Sequence, residues 1–274
     1  MSKVAPWLLM VVLAGCAGTP DGGASSPHPA QPAETQVNID DITSARLQRL
    51  LALRKSMPAL DDGAVIERLS RQFLDVPYVA DRLIGDAATP ERLVIDFRGL
   101  DCFTYLDYVE ALRHADDQAQ FVRQLIATRY RNGEVGFLTR KHFFSDWAYQ
   151  PAVRADDITT DLSPHAITLS KVLNRNADGG QYLPGLPNAT RRISYIPSEY
   201  VDARLLSRLR TGDYIGIYTN LKGLDVTHVG IYIMTPAGPV LRNASSRKEN
   251  RRVVDSPFID YISSAPGIVV LRPR

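Results

Sequence analysis

The sequence predicts an α+β domain in which amphipathic helices come first and short strands follow. Up to about residue 131, apolar side chains recur at the three- and four-residue spacing of helices. From residue 213 onward, short runs of β-branched and aromatic residues alternate with turn residues, which is typical of antiparallel strands. No internal repeat divides this order, so we expect a single domain over residues 38–274.

The composition agrees with a globular domain. The 274 residues are 45% hydrophobic and 23% charged, which excludes a disordered chain and a multi-span membrane protein. Because 32 Lys and Arg face 30 Asp and Glu and no dense basic run occurs, we expect no nucleic-acid partner.

The first residues predict an export signal. Residues 1–15 carry Lys3 and then an apolar run too short to span a bilayer. Residues 13–16, Leu-Ala-Gly-Cys, resemble a bacterial lipobox, so we expect Cys16 to be the site of lipid attachment. The alternative is an ordinary secretory signal with a chance cysteine. Ala17 in place of Asp resembles the sorting pattern for the outer membrane, which favours an anchor there, facing the periplasm.

A linker is expected after the signal. Residues 16–37 are rich in Gly, Ser, Ala and Pro and nearly lack large apolar side chains. Burial therefore cannot offset the entropy lost on ordering, and we expect a flexible tether. His28 lies in this tether and is expected to be inert.

Helical spacing predicts four helices in the N-terminal half. The apolar residues of the first two are Ile42, Leu47, Leu50, Leu51 and Leu53, and Val65, Ile66, Leu69, Phe73 and Leu74. A short strand at 93–97 and a turn precede the third helix, on which Cys102 shares one face with Leu106 and therefore points toward the core. The fourth helix is expected from Gln118 to about Arg131.

Strand patterns dominate the C-terminal half. The expected strands are 213–218, 226–234, 240–243 and 267–271. The first two suit an antiparallel hairpin with Gly223 at its turn. Residues 132–200 have several Pro and Gly and, apart from a strand at 167–173, no clear period. We expect this middle region to consist of insertions that shape a cleft.

Cys102 is the only cysteine beyond Cys16, and its place suggests a nucleophile. If Asp101 is the helix N-cap, unpaired backbone N–H groups and the helix dipole stabilise a thiolate at Cys102. The same amides can bind the oxyanion that forms when the thiolate attacks an amide carbonyl. The alternative is an inert, buried cysteine packed beside Leu106.

His228 is the candidate partner of the thiol. It lies on a predicted strand with Gly230 on the same face, where a glycine would let a helix approach until imidazole and thiol meet. A thiolate–imidazolium pair is an activated nucleophile at neutral pH. A structural histidine is the alternative. The sequence has no HExxH or Cys-x-x-Cys pattern, so we expect no metal site and no organic cofactor.

Several motifs occur in order along the chain. Asp101-Cys102 at a helix start, Leu209–Asp213 opening a strand and His228–Tyr232 on the next strand resemble the NlpC-type branch of the papain-like cysteine peptidases, bacterial hydrolases of cell-wall peptides. Four segments are similar, more narrowly, to the N-acetylmuramoyl-L-alanine amidase-like family: Asp101–Tyr105, Phe143–Trp147, Ile193–Pro197 and Ala244–Ser246. The resemblance implies a papain-like fold with N-terminal helices packed on a C-terminal antiparallel sheet.

The resemblance also implies catalytic roles. Cys102 matches the nucleophile, and His228 matches the general base that later protonates the leaving nitrogen. The third polar residue lies on the strand after that of the histidine, where Asn243 can accept a hydrogen bond from imidazole Nδ1–H. Ser245 and Ser246 are the alternatives for this position.

Three further residues resemble substrate-binding positions. Tyr78 resembles a tyrosine that lines the catalytic pocket, and Asp146 and Trp147 resemble cleft residues that suit a sugar face and a polar peptide. For Tyr78 and Trp147 the alternative is a core aromatic. Phe103 stands where related endopeptidases have a Ser that helps bind a free amino terminus, which favours substrates whose amino group is acylated by muramic acid.

The resemblance therefore implies a cysteine amidase that cleaves the bond between N-acetylmuramic acid and L-alanine in peptidoglycan or its fragments. Membrane contact is expected through the N-terminal lipid. Two alternatives stay open. One is an endopeptidase that cleaves between D-glutamate and diaminopimelate, and the other is a non-catalytic lipoprotein that binds wall fragments.

Overall fold

The computed structural model of the chain describes residues 37–149 and 153–274. The expected signal at residues 1–15, the lipid site Cys16, His28 and the tether up to residue 36 lie outside the described residues. Val37, expected as the last tether residue, instead begins a strand that pairs with residues 93–95.

The four predicted N-terminal helices are confirmed. They are α1 (Asp41–Lys55), α2 (Asp62–Arg71), α3 (Cys102–Arg113) and α4 (Gln118–Arg129). Each begins after an aspartate whose carboxylate accepts backbone N–H bonds of the first turn, which explains why the helices start there. Ile42 departs from the expected apolar face of α1, because it lies at the first turn with 66% of its surface exposed.

The described residues also contain ten strands and three short α-helices. The strands are β1 (Val37–Ile39), β2 (Leu93–Ile95), β3 (Ala155–Asp157), β4 (Ile167–Leu173), β5 (Ala189–Pro197), β6 (Tyr214–Tyr218), β7 (Val226–Thr235), β8 (Gly238–Ala244), β9 (Val253–Pro257) and β10 (Gly267–Pro273). The short helices are α5 (Thr159–Leu162), α6 (Ala203–Leu206) and α7 (Phe258–Ile262).

Eight of these strands form one antiparallel sheet. Its order is β4, β5, β10, β6, β7, β8 and β9, and β3 pairs with β10 beside this path. β1 and β2 form a separate parallel pair. The predicted β6–β7 hairpin is confirmed, and Gly223 in its turn has φ +81°, a left-handed conformation that glycine adopts without steric cost.

The middle of the chain differs from the expectation. The strand predicted at 167–173 is confirmed as β4, but it pairs along its whole length with β5, which the sequence pattern does not predict. β5 in turn pairs with β10 of the central sheet. Within the region 132–200, β4 and β5 therefore extend the main sheet.

The two faces of the sheet pack against different helices. Along β7, Ile231 faces a large core that includes residues of α1 to α4, whereas Tyr232 faces a second core with residues of α5 to α7. This alternation follows from the two-residue period of a strand. The N-terminus of α3 lies against the first of these faces, which brings Cys102 to the sheet. No helix in the described ranges is long and apolar enough to cross a membrane.

Candidate active site

Cys102 is the first residue of α3, and a complete capping box holds its turn. The Asp101 carboxylate accepts the N–H groups of Phe103 and Thr104 at 3.0 and 2.7 Å, and the Thr104 hydroxyl accepts the Asp101 N–H at 3.1 Å. Two of the first three helical amides are therefore occupied by the cap. The amides of this turn are those expected to bind an oxyanion. Among them, the N–H of Cys102 is the one that is not bonded to the Asp101 cap.

The thiol of Cys102 lies at the point where β7 and β8 separate. Their pairing extends only as far as Ile231 and Arg242, although β8 continues to Ala244. Beyond this last pair, the backbone N–H of Val229 lies close enough to the Cys102 sulfur to lower the pKa of the thiol. Val229 directly follows His228, and the Tyr261 ring, which lies beside that of His228, is close enough to Cys102 for the sulfur to raise the pKa of its phenol. The fold therefore brings the thiol close to the segment of β7 that carries the imidazole.

Gly230 has a different role from the expected one. A Cβ at this position would lie 2.7 Å from Cδ1 of Leu241 and 3.0 Å from the carbonyl oxygen of Arg242. Both atoms belong to the neighbouring strand β8 and not to a helix. The glycine therefore allows β8, which carries Asn243, to approach β7.

A hydrogen bond joins His228 to Asn243. The imidazole Nε2 lies 2.9 Å from Oδ1 of Asn243. The amide nitrogen of Asn243 donates to the carbonyl oxygen of Leu241 at 2.9 Å and to Oγ of Ser256 at 3.3 Å, which turns the amide oxygen toward the ring. Because that oxygen only accepts, Nε2 carries the ring proton.

The nitrogen used in this bond corrects the expectation from the sequence, which placed it at Nδ1. With Nε2 protonated, Nδ1 of His228 has a free lone pair and is the basic nitrogen of the ring. Ser245, an alternative to Asn243, instead accepts hydrogen bonds from Arg247 and Asn250 through its hydroxyl oxygen.

Burial favours the neutral form of both reactive groups. Burial, and then the neighbouring Asp101 carboxylate, raises the pKa of Cys102 to about 12, although backbone N–H groups act in the opposite direction. Burial lowers the pKa of His228 below 6.5 against the opposing effect of the Asn243 hydrogen bond. Both shifts favour a thiol and a neutral imidazole over the expected thiolate–imidazolium pair.

Tyr78 lies beside the turn that carries the nucleophile. Its backbone pairs with Leu100, and its N–H donates to the carbonyl oxygen of Arg251 at 2.8 Å. Burial raises the pKa of the Tyr78 phenol. Tyr78 and Cys102 pack against the same core, so Tyr78 lies near the start of α3.

Asp146 and Trp147 are placed in the interior instead of the expected cleft. Trp147 has no exposed surface and packs edge-on against Phe103 and Tyr214, with ring centroids 6.2 and 5.2 Å apart. Asp146 is 6% exposed and pairs with Arg191 at 2.6 Å. A fully buried indole cannot contact a sugar, so Trp147 supports Phe103, the neighbour of the nucleophile.

Three residues near the thiol are not predicted by the sequence pattern. The Tyr261 ring lies nearly parallel to that of His228, with centroids 5.9 Å apart. The Arg247 guanidinium lies 4.0 Å from the Tyr261 ring centroid, and that of Arg251 lies 5.2 Å from the ring centroid of Tyr78. The only sequence signal for the arginines is a cluster of cationic residues in one loop.

The arrangement defines a class of chemistry. A thiol, an imidazole whose Nδ1 can accept a proton, and a carboxamide that orients the imidazole are the groups used in nucleophilic acyl transfer. In residues 37–149 and 153–274, no three His, Cys, Asp or Glu side chains are grouped so that they could hold a metal ion.

Comparison with known proteins identifies the family. Residues 68–268 match the family described as AmiA-like, N-acetylmuramoyl-L-alanine amidase-like, and the chain belongs to this family. The structure of an N-acetylmuramoyl-L-alanine amidase from Bacteroides uniformis is 30% identical, with 77% of this chain and 98% of that chain covered and a TM-score of 0.66.

A second similar structure supports the fold alone. It is a Legionella pneumophila protein that is 21% identical, with 85% of this chain and 96% of that chain covered and a TM-score of 0.69. None of the curated proteins matches this chain.

Proposed function

We propose that this protein is a cysteine-dependent N-acetylmuramoyl-L-alanine amidase with a papain-like, NlpC-type fold. The observation that carries the proposal is the hydrogen bond between His228 and Asn243, with Cys102 close to the neighbouring Val229, in a chain of the amidase-like family. The substrate is peptidoglycan or its fragments.

The first half of the reaction transfers the acyl group to sulfur. Nδ1 of His228 takes the thiol proton as the Cys102 sulfur attacks the lactyl carbonyl carbon of muramic acid. The N–H of Cys102 is placed to donate to the oxyanion, because the Asp101 cap leaves it outside. Collapse of the intermediate breaks the C–N bond, and His228 gives its proton to the alanine nitrogen, which releases the peptide and leaves a thioester.

The second half returns the enzyme to its starting state. His228 accepts a proton from water, and the resulting hydroxide attacks the thioester carbon. Breaking the C–S bond releases the carboxylic acid of muramic acid, which gives its own proton to the solvent, and His228 returns the proton taken from water to the sulfur of Cys102. Asn243 keeps the imidazole in the tautomer that both proton transfers need.

Phe103 favours this bond over a bond near a free amino terminus. Its ring packs on the buried Trp147, so a bulky apolar group occupies the position after the nucleophile. An amino group is hydrated when charged, and an apolar ring offers it no acceptor. An alanine nitrogen already acylated by muramic acid carries no charge and fits this environment.

We also propose that the protein acts in the bacterial cell envelope. Residues 1–15 would direct export, and lipid on Cys16 would hold the domain at the outer membrane, facing the periplasm. Residues 16–36 would let the domain reach its substrate. Metabolic labelling with a radioactive fatty acid tests the anchor: the wild type incorporates label and Cys16→Ala does not.

Identification of the cleaved bond tests the activity. The purified protein is incubated with a defined N-acetylmuramoyl pentapeptide, and the products are identified by mass spectrometry. We expect free peptides that begin with L-alanine from the wild type and none from Cys102→Ala or His228→Gln. His142→Gln is the matched control, because this half-buried histidine contacts the carbonyl oxygen of Phe137 away from the thiol.

The other outcomes contradict the proposal in different ways. Peptides that begin with diaminopimelate would identify an endopeptidase. Cleavage that survives Cys102→Ala would exclude the cysteine mechanism. If the folded wild type binds the substrate but releases nothing, the protein is a non-catalytic binding module.

A further inference from the structure

The loop between β8 and β9, residues 245–252, has a fixed shape next to the thiol. The first residue of the loop, Ser245, is fully buried and makes the hydrogen bonds that hold the loop together. The Ser245 N–H donates to the carbonyl oxygen of Arg252 at 2.9 Å, which closes the loop. The Ser245 hydroxyl accepts the N–H of Arg247 at 3.3 Å and the side-chain amide of Asn250 at 3.4 Å. These bonds hold the arginines of the loop in defined positions.

Two of these arginines lie over aromatic rings next to the reactive groups. Arg247 lies over the ring of Tyr261, and that ring lies against His228. Arg251 lies over the ring of Tyr78, on the side of the nucleophile. Each guanidinium is thus one aromatic ring away from a group that takes part in the proposed chemistry.

Neither guanidinium is neutralised by the protein. Nearby, Arg242 pairs with Asp255 and Arg252 pairs with Asp75. Within the part of the chain that the structure describes, Arg247 and Arg251 have no carboxylate within ion-pair distance. Both residues are exposed, so a ligand can reach them.

The backbone of Arg251 supports a ligand-binding role. Its φ is +46°, in the left-handed region that residues with a Cβ rarely adopt. Such backbone strain is concentrated at ligand-binding sites, where the surrounding structure holds it. Here Arg251 N–H donates to the carbonyl oxygen of Arg247 at 2.9 Å, and its own carbonyl accepts the N–H of Tyr78 at 2.8 Å. The strained residue therefore links the loop to the pocket wall.

We infer that Arg247 and Arg251 form a carboxylate-binding site at the rim of the active site, which holds the peptide part of the substrate. Guanidinium groups bind carboxylates through paired, charge-assisted hydrogen bonds. The identity of the carboxylate rests on the proposed function. In the substrate, the lactyl carboxyl of the N-acetylmuramoyl part is in an amide bond, so this part is neutral. The negative charges of the substrate therefore lie on the peptide.

The α-carboxylate of a γ-linked glutamate is the group that fits. Glutamate follows alanine in the peptide, and two residues of extended chain span about 7 Å, which is within reach of a guanidinium one ring away from His228. Arginines in this position would favour peptides whose glutamate carboxylate is free over peptides in which it is amidated.

Binding to the full-length Cys102→Ala protein tests the inference without turnover. The two probes are N-acetylmuramoyl-L-alanyl-D-glutamate γ-methylamide and the same compound with its α-carboxylate converted to a carboxamide. By isothermal titration calorimetry we expect about tenfold tighter binding of the carboxylate probe. Adding Arg247→Gln and Arg251→Gln together should remove this preference. Lys248→Gln is the matched control, an exposed cation of the same loop, and should retain it.

Two results would overturn the inference. The first is equal affinity for the two probes, which includes no measurable binding of either. The second is a preference for the carboxylate probe that survives the double substitution. Wild-type turnover of the carboxylate probe is measured in parallel. If no L-alanyl peptide is released but the carboxylate preference is present and depends on both arginines, the proposed reaction fails and the binding site stands. If the peptide is released without such a preference, the reaction stands and the site fails.

Discussion

Asn243 accepts a hydrogen bond from Nε2 of His228 at 2.9 Å, and the amide cannot turn over. Its nitrogen donates to the carbonyl oxygen of Leu241, and a flipped amide would lose this bond and set two acceptor oxygens against each other. Asn243 is fully buried, so water cannot replace the lost bond. The orientation of one amide on β8 thus determines which nitrogen of His228 can accept the thiol proton.

Replacing the amide by a carboxylate should change the pH profile. In Asn243→Asp, a negative charge next to the ring favours the imidazolium form and raises the pKa of His228. We expect the acid side of the kcat/KM profile to move to higher pH. Asn243→Ala should lower kcat by on the order of 100-fold, because the ring loses its fixed tautomer.

The control for this pair is Ser256→Ala, which removes only the longer of the two bonds to the amide nitrogen. It should leave the midpoint of the profile unchanged. An Asn243→Asp protein with a wild-type pH profile would show that Asn243 does not act through His228.

The wild-type activity should decrease in acid at a pH below 6.5. Burial lowers the pKa of His228 from 6.5, and only the neutral ring can accept the thiol proton. Activity is therefore complete above the lowered pKa and is lost as the pH falls through it. The kcat/KM profile of the purified enzyme measures this midpoint, and a value above 6.5 would contradict the neutral resting state.

The same pKa shift predicts a loss of stability in acid. His228 in the unfolded chain binds its proton near pH 6.5, before the folded protein does. As the pH falls below 6.5, the free energy of unfolding decreases, and it levels off at the lower value once the pH is below the folded pKa as well. In His228→Gln, the free energy of unfolding should depend less on pH in this range.

Cys102 should react slowly with iodoacetamide at neutral pH. Burial raises its pKa to about 12, so very little thiolate is present. We expect labelling on the order of 100-fold slower than in the urea-unfolded chain and a rate that rises about tenfold per pH unit. Mass spectrometry of the Cys102 peptide separates this thiol from Cys16. Rapid labelling with a plateau near neutral pH would show a thiolate–imidazolium pair.

The fold could be predicted where the local pattern carries the information. Helices α1 to α4 each combine an apolar period with an aspartate cap, and the β6–β7 hairpin combines two apolar runs with a glycine turn. β5 lacks such a pattern, because its polar residues Thr190, Arg191 and Arg192 interrupt the apolar side chains that identify a strand. Its position depends on pairing with β4 and β10, which sequence spacing does not encode.

The site could be predicted only as a set of candidate residues. Cys102 and His228 are identifiable because a helix start and a strand impose local constraints. The protonated nitrogen of the ring follows from the orientation of the Asn243 amide, and the raised pKa of the thiol follows from tertiary burial. Neither Arg247 nor Arg251 belongs to a periodic element, so only the folded loop reveals their place beside the rings.

Trp147 should affect stability and not substrate binding. It is fully buried, and its indole nitrogen has no hydrogen-bond partner, so Trp147→Phe removes volume without breaking a polar contact. We expect Trp147→Ala to lower the free energy of unfolding by about 3–5 kcal/mol and Trp147→Phe to have a smaller effect. KM of the Phe variant should match the wild type. If Trp147→Phe raises KM and leaves the stability toward urea unchanged, this prediction is wrong and the indole lies in the cleft.

Gly230→Ala should reduce both stability and turnover, because the new methyl group would lie 2.7 Å from Leu241 and 3.0 Å from the Arg242 carbonyl oxygen. Overpacking of this kind costs about 1–3 kcal/mol. Relief of the clash would move β8 away from β7, and Asn243 would move with it, so kcat should fall more than KM changes. Gly267→Ala is the matched control, since its methyl group would also meet strand backbone but lies on β10. Urea unfolding and steady-state kinetics distinguish the two variants. If both lose similar stability and both keep wild-type kcat, the spacing of β7 and β8 does not set the position of Asn243.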